Sequence, residues 1–258
     1  MSSVASLVAP DPALGRTMVP APRPTGMSPR VMARWGGALL LATIVGGVVA
    51  QGFLSDRLIV AGNAAATARN FVASPSVVRA AYVIFMVEMA CQIATTAVMY
   101  ELLVPVDRTL ARMAAAFGYV GSGIKILSRL FFYAPLFVLG GSPYLSAFGR
   151  GQLEAIAYLL LRINDLGAGM ACIFLGVNTV LVGYLMLRAT FLPRVLGILG
   201  LVGGAGWLTF AYPPLGSSLF VPIAVFSLIG CAVTIGWLLV RGVDERRWHE
   251  MAAAGWSR

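Results

Sequence analysis

Long apolar runs dominate the chain, and most close on Pro, Gly or Arg. A helix crossing ~30 Å of hydrocarbon at 1.5 Å per residue needs ~20 mostly apolar residues. By that measure the pattern predicts six transmembrane helices, at about residues 35–53, 79–104, 109–140, 167–187, 195–212 and 218–240. Residues 54–79 form a polar connection. Within it, Asn63 precedes an Ala-rich run as an N-cap would, and Ser74-Pro75 reads as a cap plus N1 proline of the next helix. A short surface helix is therefore expected between spans one and two. Residues 105–109 (Pro-Val-Asp-Arg-Thr) make a tight turn, and Pro135 with the Gly140-Gly141-Ser142-Pro143 stretch stops span three. Residues 144–166 carry Arg150, Glu154, Arg162 and Asp165 among leucines, which suggests an interfacial or protruding helix leading into span four. Residues 188–194 form a turn containing Pro193, and Pro213-Pro214 ends span five.

The organisation expected is three-part. Residues 1–34, with six prolines and scattered Ser and Arg, read as a disordered tail. Residues 35–240 form the all-α membrane bundle, and residues 241–258 a charged, solvated helix extension. Val48-Val49-Ala50 loosely resembles a signal-peptidase site, but the long tail before it favours a retained anchor.

Composition excludes a soluble globule. Of 258 residues 59% are apolar and 11% charged, and the mean hydropathy is +0.85. A soluble domain is typically ~45–50% apolar and ~25% charged. Cys91, Cys172 and Cys231 lie singly in apolar runs without a CxxC pair, and the one histidine, His249, lies in the tail. No metal site, no cofactor and no Ser–His dyad within the membrane are expected. The net charge is +9, but the basic residues form no stripe with interleaved aromatics, so nucleic acid is not an expected partner. Topology explains them better. With the N-terminus inside, twelve arginines fall on the inner side and Arg57, Arg69, Arg79 and Arg150 on the outer. Six spans then leave both termini cytoplasmic.

Ionisable groups inside a span cost ~2.5–3.5 kcal/mol each on insertion scales, and they face the bundle interior. On span two, Glu88, Gln92, Thr95 and Met99 share one helical face; on span three, Gly118, Ser122, Lys125, Arg129 and Phe132 do. The tight turn makes these helices antiparallel neighbours. The rise per residue puts Glu88 ~5 Å and Arg129 ~7 Å outward of their span centres, and Lys125 within ~2 Å of the midplane. Glu88 can therefore meet Arg129 or Lys125, not easily both. The trio carries +1. The surplus cation is expected beside Lys125, hydrogen-bonded by Asn178 and Gln92 or facing an anionic ligand, unless Lys125 is uncharged. Arg162 and Asp165, an i, i+3 pair, are expected at an outer rim. Glycine-rich faces of spans four and five (Gly169, Gly176 and Gly183; Gly197, Gly200 and Gly204) can pack helices closely or form a homo-oligomer or partner face. Gly121-Ser122-Gly123 suggests a nucleophile flanked by glycines, with Lys125 one turn away, but nothing else supports enzyme chemistry.

From about Arg34 to Trp248 the chain resembles the DUF4386 family of bacterial integral membrane proteins. The resemblance rests on residues 58–68 (Leu-Ile-Val-Ala-Gly-Asn-Ala-Ala-Ala-Thr-Ala) and 102–111 (Leu-Leu-Val-Pro-Val-Asp-Arg-Thr-Leu-Ala). It rests also on 144–149 (Tyr-Leu-Ser-Ala-Phe-Gly), Gly183-Tyr184-Leu185, and 192–197 (Leu-Pro-Arg-Val-Leu-Gly). The family pattern often has a histidine near the start of span four, where this chain reads Asn164-Asp165. The resemblance implies six spans in the bacterial inner (cytoplasmic) membrane and supplies no activity. Three functions compete: a lipid- or anion-binding polar site between spans two, three and four; a partner or assembly subunit whose polar trio only fixes helix register; and, ranked last, an intramembrane enzyme.

Overall fold

The structure is a computed structural model that describes residues 27–255. Among these residues it is all-helical, with no strand. The helices are α1 (Pro29–Gly47), α2 (Ala64–Ala73), α3 (Pro75–Leu103), α4 (Arg108–Tyr133), α5 (Pro135–Val138), α6 (Arg150–Arg188), α7 (Arg194–Leu208), α8 (Pro213–Ser218), α9 (Phe220–Val240) and α10 (Glu245–Gly255). Val48–Ser55 continues α1 as a π-helix, and Thr209–Ala211 continues α7 as a 3-10 turn. Five helical stretches are long and apolar enough to cross a membrane: Pro29–Ser55, Pro75–Leu103, Arg150–Arg188, Arg194–Ala211 and Phe220–Val240. Helix α4, with 26 residues, is about 39 Å long. It packs along both α3 and α6 but is less apolar than those five, because Arg108, Arg112, Lys125 and Arg129 lower its hydropathy.

Several boundaries differ from expectation for local reasons. Ser28 caps α1, its hydroxyl accepting the Val31 N–H (3.3 Å), with Pro29 at the first helical position; the helix therefore starts six residues before Trp35, inside the stretch read as tail. The disorder expected for residues 1–26 lies outside the described residues. Helix α3 starts at Pro75 rather than near Arg79. Asn63 caps α2 through Oδ1, which accepts the Ala66 N–H at 2.9 Å. Helix α4 stops at Tyr133 rather than Gly140, because Pro135 has no N–H to continue the ladder and restarts a separate turn. The protruding helix and span four are one uninterrupted rod, α6, of 39 residues and about 58 Å. No proline breaks it.

The C-terminal segment is not a simple extension. Gly242 adopts φ +66°, a conformation that favours glycine, and reverses the chain after α9. Helix α10 then folds back on the bundle, where the Trp248 indole donates to the Leu102 carbonyl (3.0 Å) and Arg247 to the Thr190 carbonyl (3.2 Å). The start of α1, the α3–α4 turn, the α6–α7 turn and the end of α9 therefore meet at one end of the bundle.

The glycines of α6 and α7 interlock. A Cβ on Gly183 would lie 2.7 Å from the Leu201 nitrogen, and one on Gly204 2.7 Å from the Val180 nitrogen and 2.9 Å from the Gly176 carbonyl. This backbone-to-backbone approach fills the seam from within the chain.

Two apolar clusters bracket the bundle. One, at the α10 end, includes Met99, Leu102, Leu185, Leu196 and Leu238. The other includes Leu58, Phe71, Phe85, Phe132 and Leu161. The polar centre adjoins the second.

Candidate functional site

Helical spacing on α3 and α4 places the expected charges face to face. Glu88, 4% exposed, accepts a hydrogen bond on Oε1 from Lys125 Nζ at 2.7 Å. The lysine side chain keeps 22% exposure, so the pair is buried on one side only. The other Glu88 carboxylate oxygen, Oε2, is buried and has no partner among the described residues. Helix α1 closes over this carboxylate. A Cβ on Gly46 would lie 3.3 Å from Glu88 Cβ, and one on Gly47 3.1 Å from Oε1. Immediately afterwards α1 widens into the π-helix, where the Asp56 N–H donates to the Gln51 carbonyl five residues back (3.0 Å) and the Ser55 hydroxyl donates to the Ala50 carbonyl (2.7 Å). A π-helical stretch is uncommon and often adjoins functional sites.

Arg129, one turn along α4 from Lys125, takes a different set of partners. It is 4% exposed. Its guanidinium carbon lies 3.7 Å from the centroid of the Phe85 ring, a close cation–π contact. Phe85 packs edge-on against Phe132 (centroids 5.6 Å, 83°), which fixes the ring under the cation. Arg129 Nη1 donates to Asn164 Oδ1 of α6 at 3.2 Å. Its Nε is buried without a partner, and among the described residues no carboxylate lies within ion-pair distance. Asn164 in turn donates to Asp165 Oδ1 (3.3 Å), and Asp165 faces Arg162 at 3.6 Å on the exposed rim.

The alternative posed by the sequence is thus resolved. Glu88 takes Lys125, and Arg129 is the surplus cation; it was expected beside Lys125. Asn178 does not reach Lys125. Its amide donates to the Ala114 carbonyl (2.7 Å), drawn there by the close α4–α6 approach at Gly118. The Gln92 side chain makes no hydrogen bond among the described residues, and only its carbonyl is used, by Thr96 (2.9 Å). Ser122 is fully buried and its hydroxyl is returned to the Gly118 carbonyl (2.8 Å), so it forms no dyad with Lys125. Arg162 and Asp165 do form an exposed pair.

Two participants were not singled out for this site from the sequence. Asn164 shares the buried stripe of α6 with Ala157, Leu161 and Ala171, and a lone polar group in that stripe was the available signal. Phe85 lies one turn before Glu88, but an apolar aromatic in a span carries no signal of its cation. Among the described residues no group of three His, Cys, Asp or Glu side chains could hold a metal ion. The arrangement therefore offers charge, hydrogen-bond donors and one carboxylate, and no nucleophile–base pair.

No curated protein and no solved structure matches the chain. Residues 35–242, which include all six spans expected from the sequence but not the first six residues of α1, match the model of a family described as a domain of unknown function, and the chain belongs to that family, DUF4386.

Proposed function

We propose that this is a six-span membrane protein with both termini cytoplasmic, and that it binds an anionic group, from a lipid or a small anion, in the polar centre between α3, α4 and α6. One observation carries the binding reading: Arg129 is buried with an unmatched Nε and no carboxylate in ion-pair reach. A buried charge is costly unless it is paired and hydrogen-bonded. Phe85 and Asn164 compensate only in part, because neither carries negative charge. An anion would complete the site. The Glu88–Lys125 pair is internally neutral and leaves the centre at +1. Support for the topology comes from the gathering of Arg30, Arg241, Arg246 and Arg247 with the α3–α4 and α6–α7 turns at one end, in line with the positive-inside rule. The length of α4 is enough to cross despite its charges.

The test is native mass spectrometry of the full chain released from mild detergent. The wild type is expected to hold an adduct of defined mass that Arg129→Met loses while remaining folded. The competing register-lock reading draws on the close packing of Gly46 and Gly47 over Glu88 and on the Cβ of Gly167, which would lie 2.7 Å from Ser128 Cβ. It predicts no adduct, and loss of membrane accumulation on Arg129→Met.

A further inference from the structure

A second cationic site lies at the opposite apolar cluster. An open cleft of about 670 Å³ is walled by the first turn of α1, the α6–α7 turn and the α9–α10 reversal. Four arginines line it: Arg30, Arg241, Arg246 and Arg247. Its two acids are already engaged. Asp244 accepts the Arg247 N–H on Oδ1 (3.1 Å), capping α10, and its Oδ2 faces Arg247 Nε at 3.5 Å. Glu245 Oε1 accepts the Arg30 backbone N–H at 3.4 Å. Arg246 pairs with Glu250 at 3.3 Å.

Arg30 and Arg241 are different. Both are exposed, and among the described residues neither guanidinium has a hydrogen bond or ion pair; Arg241 only lies 5.8 Å from the Trp237 ring centroid. Arg30 packs on the residue that follows Arg241. Gly242, at φ +66°, brings the chain under Arg30 so closely that a Cβ there would sit 3.1 Å from Arg30 Cγ. Trp237 also lines the cleft, and its indole N–H is buried without an acceptor. Nor does the preceding sequence offer net negative charge, since residues 1–26 contain Arg16, Arg23 and a single acid, Asp11.

We infer that this cleft binds a phosphate group, with Arg30 and Arg241 as its two direct ligands. Guanidinium forks match phosphate oxygens in geometry, and basic pockets between spanning helices at a membrane surface take phospholipid headgroups. The cleft is independent of the Arg129 centre and does not depend on it.

The experiment uses the full chain in neutral detergent, titrated separately with dihexanoyl-phosphatidylglycerol and with inorganic phosphate, and read by native mass spectrometry. Wild type is expected to bind at least one probe. Arg30→Ala with Arg241→Ala should weaken that binding about thirtyfold, while Arg129→Met leaves it unchanged. Binding of the lipid alone identifies a headgroup site; binding of inorganic phosphate as well identifies a soluble phosphate ligand. Should the double variant fail to accumulate, Arg30→Gln and Arg241→Gln taken singly should each weaken binding about fivefold. No binding of either probe by wild type, or equal binding by wild type and the arginine variants, overturns the inference.

Discussion

Two helix interfaces run through this bundle on opposite principles. The α6–α7 seam has no charge at all: Gly176, Gly183, Gly197, Gly200 and Gly204 let two backbones touch. The α3–α4–α6 centre is joined by charge: Glu88 to Lys125, and Arg129 to Phe85 and Asn164. In lipid, where apolar burial does not drive helices together, close packing and polar contacts are the two available glues. The difference lies in completeness. In the glycine seam each close approach is met by backbone of the facing helix. The polar centre leaves Glu88 Oε2 and Arg129 Nε without partners. A helix lock alone needs only the Glu88–Lys125 contact. The unmatched arginine is what the proposed binding site adds to a fastener.

The seam is the place to break the fold. Gly204→Leu would drive a side chain into the Val180 nitrogen and the Gly176 carbonyl, and backbone cannot yield as a flexible side chain does. A loss at or above the ~1–3 kcal/mol of ordinary overpacking is expected, seen as absence of a monodisperse peak in detergent size-exclusion chromatography. Gly123→Leu on α4, where a Cβ meets nothing within 4 Å, should leave that peak intact. Next in size is the charged pair. Glu88→Gln leaves Lys125 without its anion and should cost about 2 kcal/mol, below the ~3–5 kcal/mol of breaking a fully buried pair because Lys125 is 22% exposed. Adding Lys125→Met should restore most of the thermal stability, and a double-mutant cycle measures the coupling.

These interfaces were unequally legible in the sequence. The i, i+4, i+7 faces of α3 and α4 bring Glu88, Lys125 and Arg129 together without any structure. Which cation takes the carboxylate was not legible, because one helical turn separates Lys125 from Arg129 and depth by rise per residue is uncertain by about that much. Asn178 was the expected amide and Asn164 is the actual one. The reason is continuity: α6 runs unbroken through 164–167, so a residue assigned to a protruding helix stands inside the bundle. The π-helix after Gly47 was not legible either, since its i to i+5 bonds arise where α1 packs on α3 and no residue pattern marks them. The glycine spacing of α6 and α7 was visible, but whether it would be filled within the chain or by a second molecule depended on the tertiary arrangement.

Smaller effects sharpen the comparison. Asn164→Ala removes the acceptor of Arg129 Nη1 and should cost about 1 kcal/mol in thermal unfolding. If an anion sits on Arg129, the same change weakens its retention as well. Arg162→Ala, on the exposed rim pair with Asp165, should change stability by less than about 0.5 kcal/mol and leave the adduct in place.

The most direct measurement is on Arg129 itself: side-by-side native mass spectra of wild type and Arg129→Met, with thermal unfolding of both. An adduct on wild type that is missing from a folded, normally melting Arg129→Met protein is the predicted result. A wild type without any adduct, together with an Arg129→Met variant that no longer folds, would contradict it and make the arginine a structural fastener.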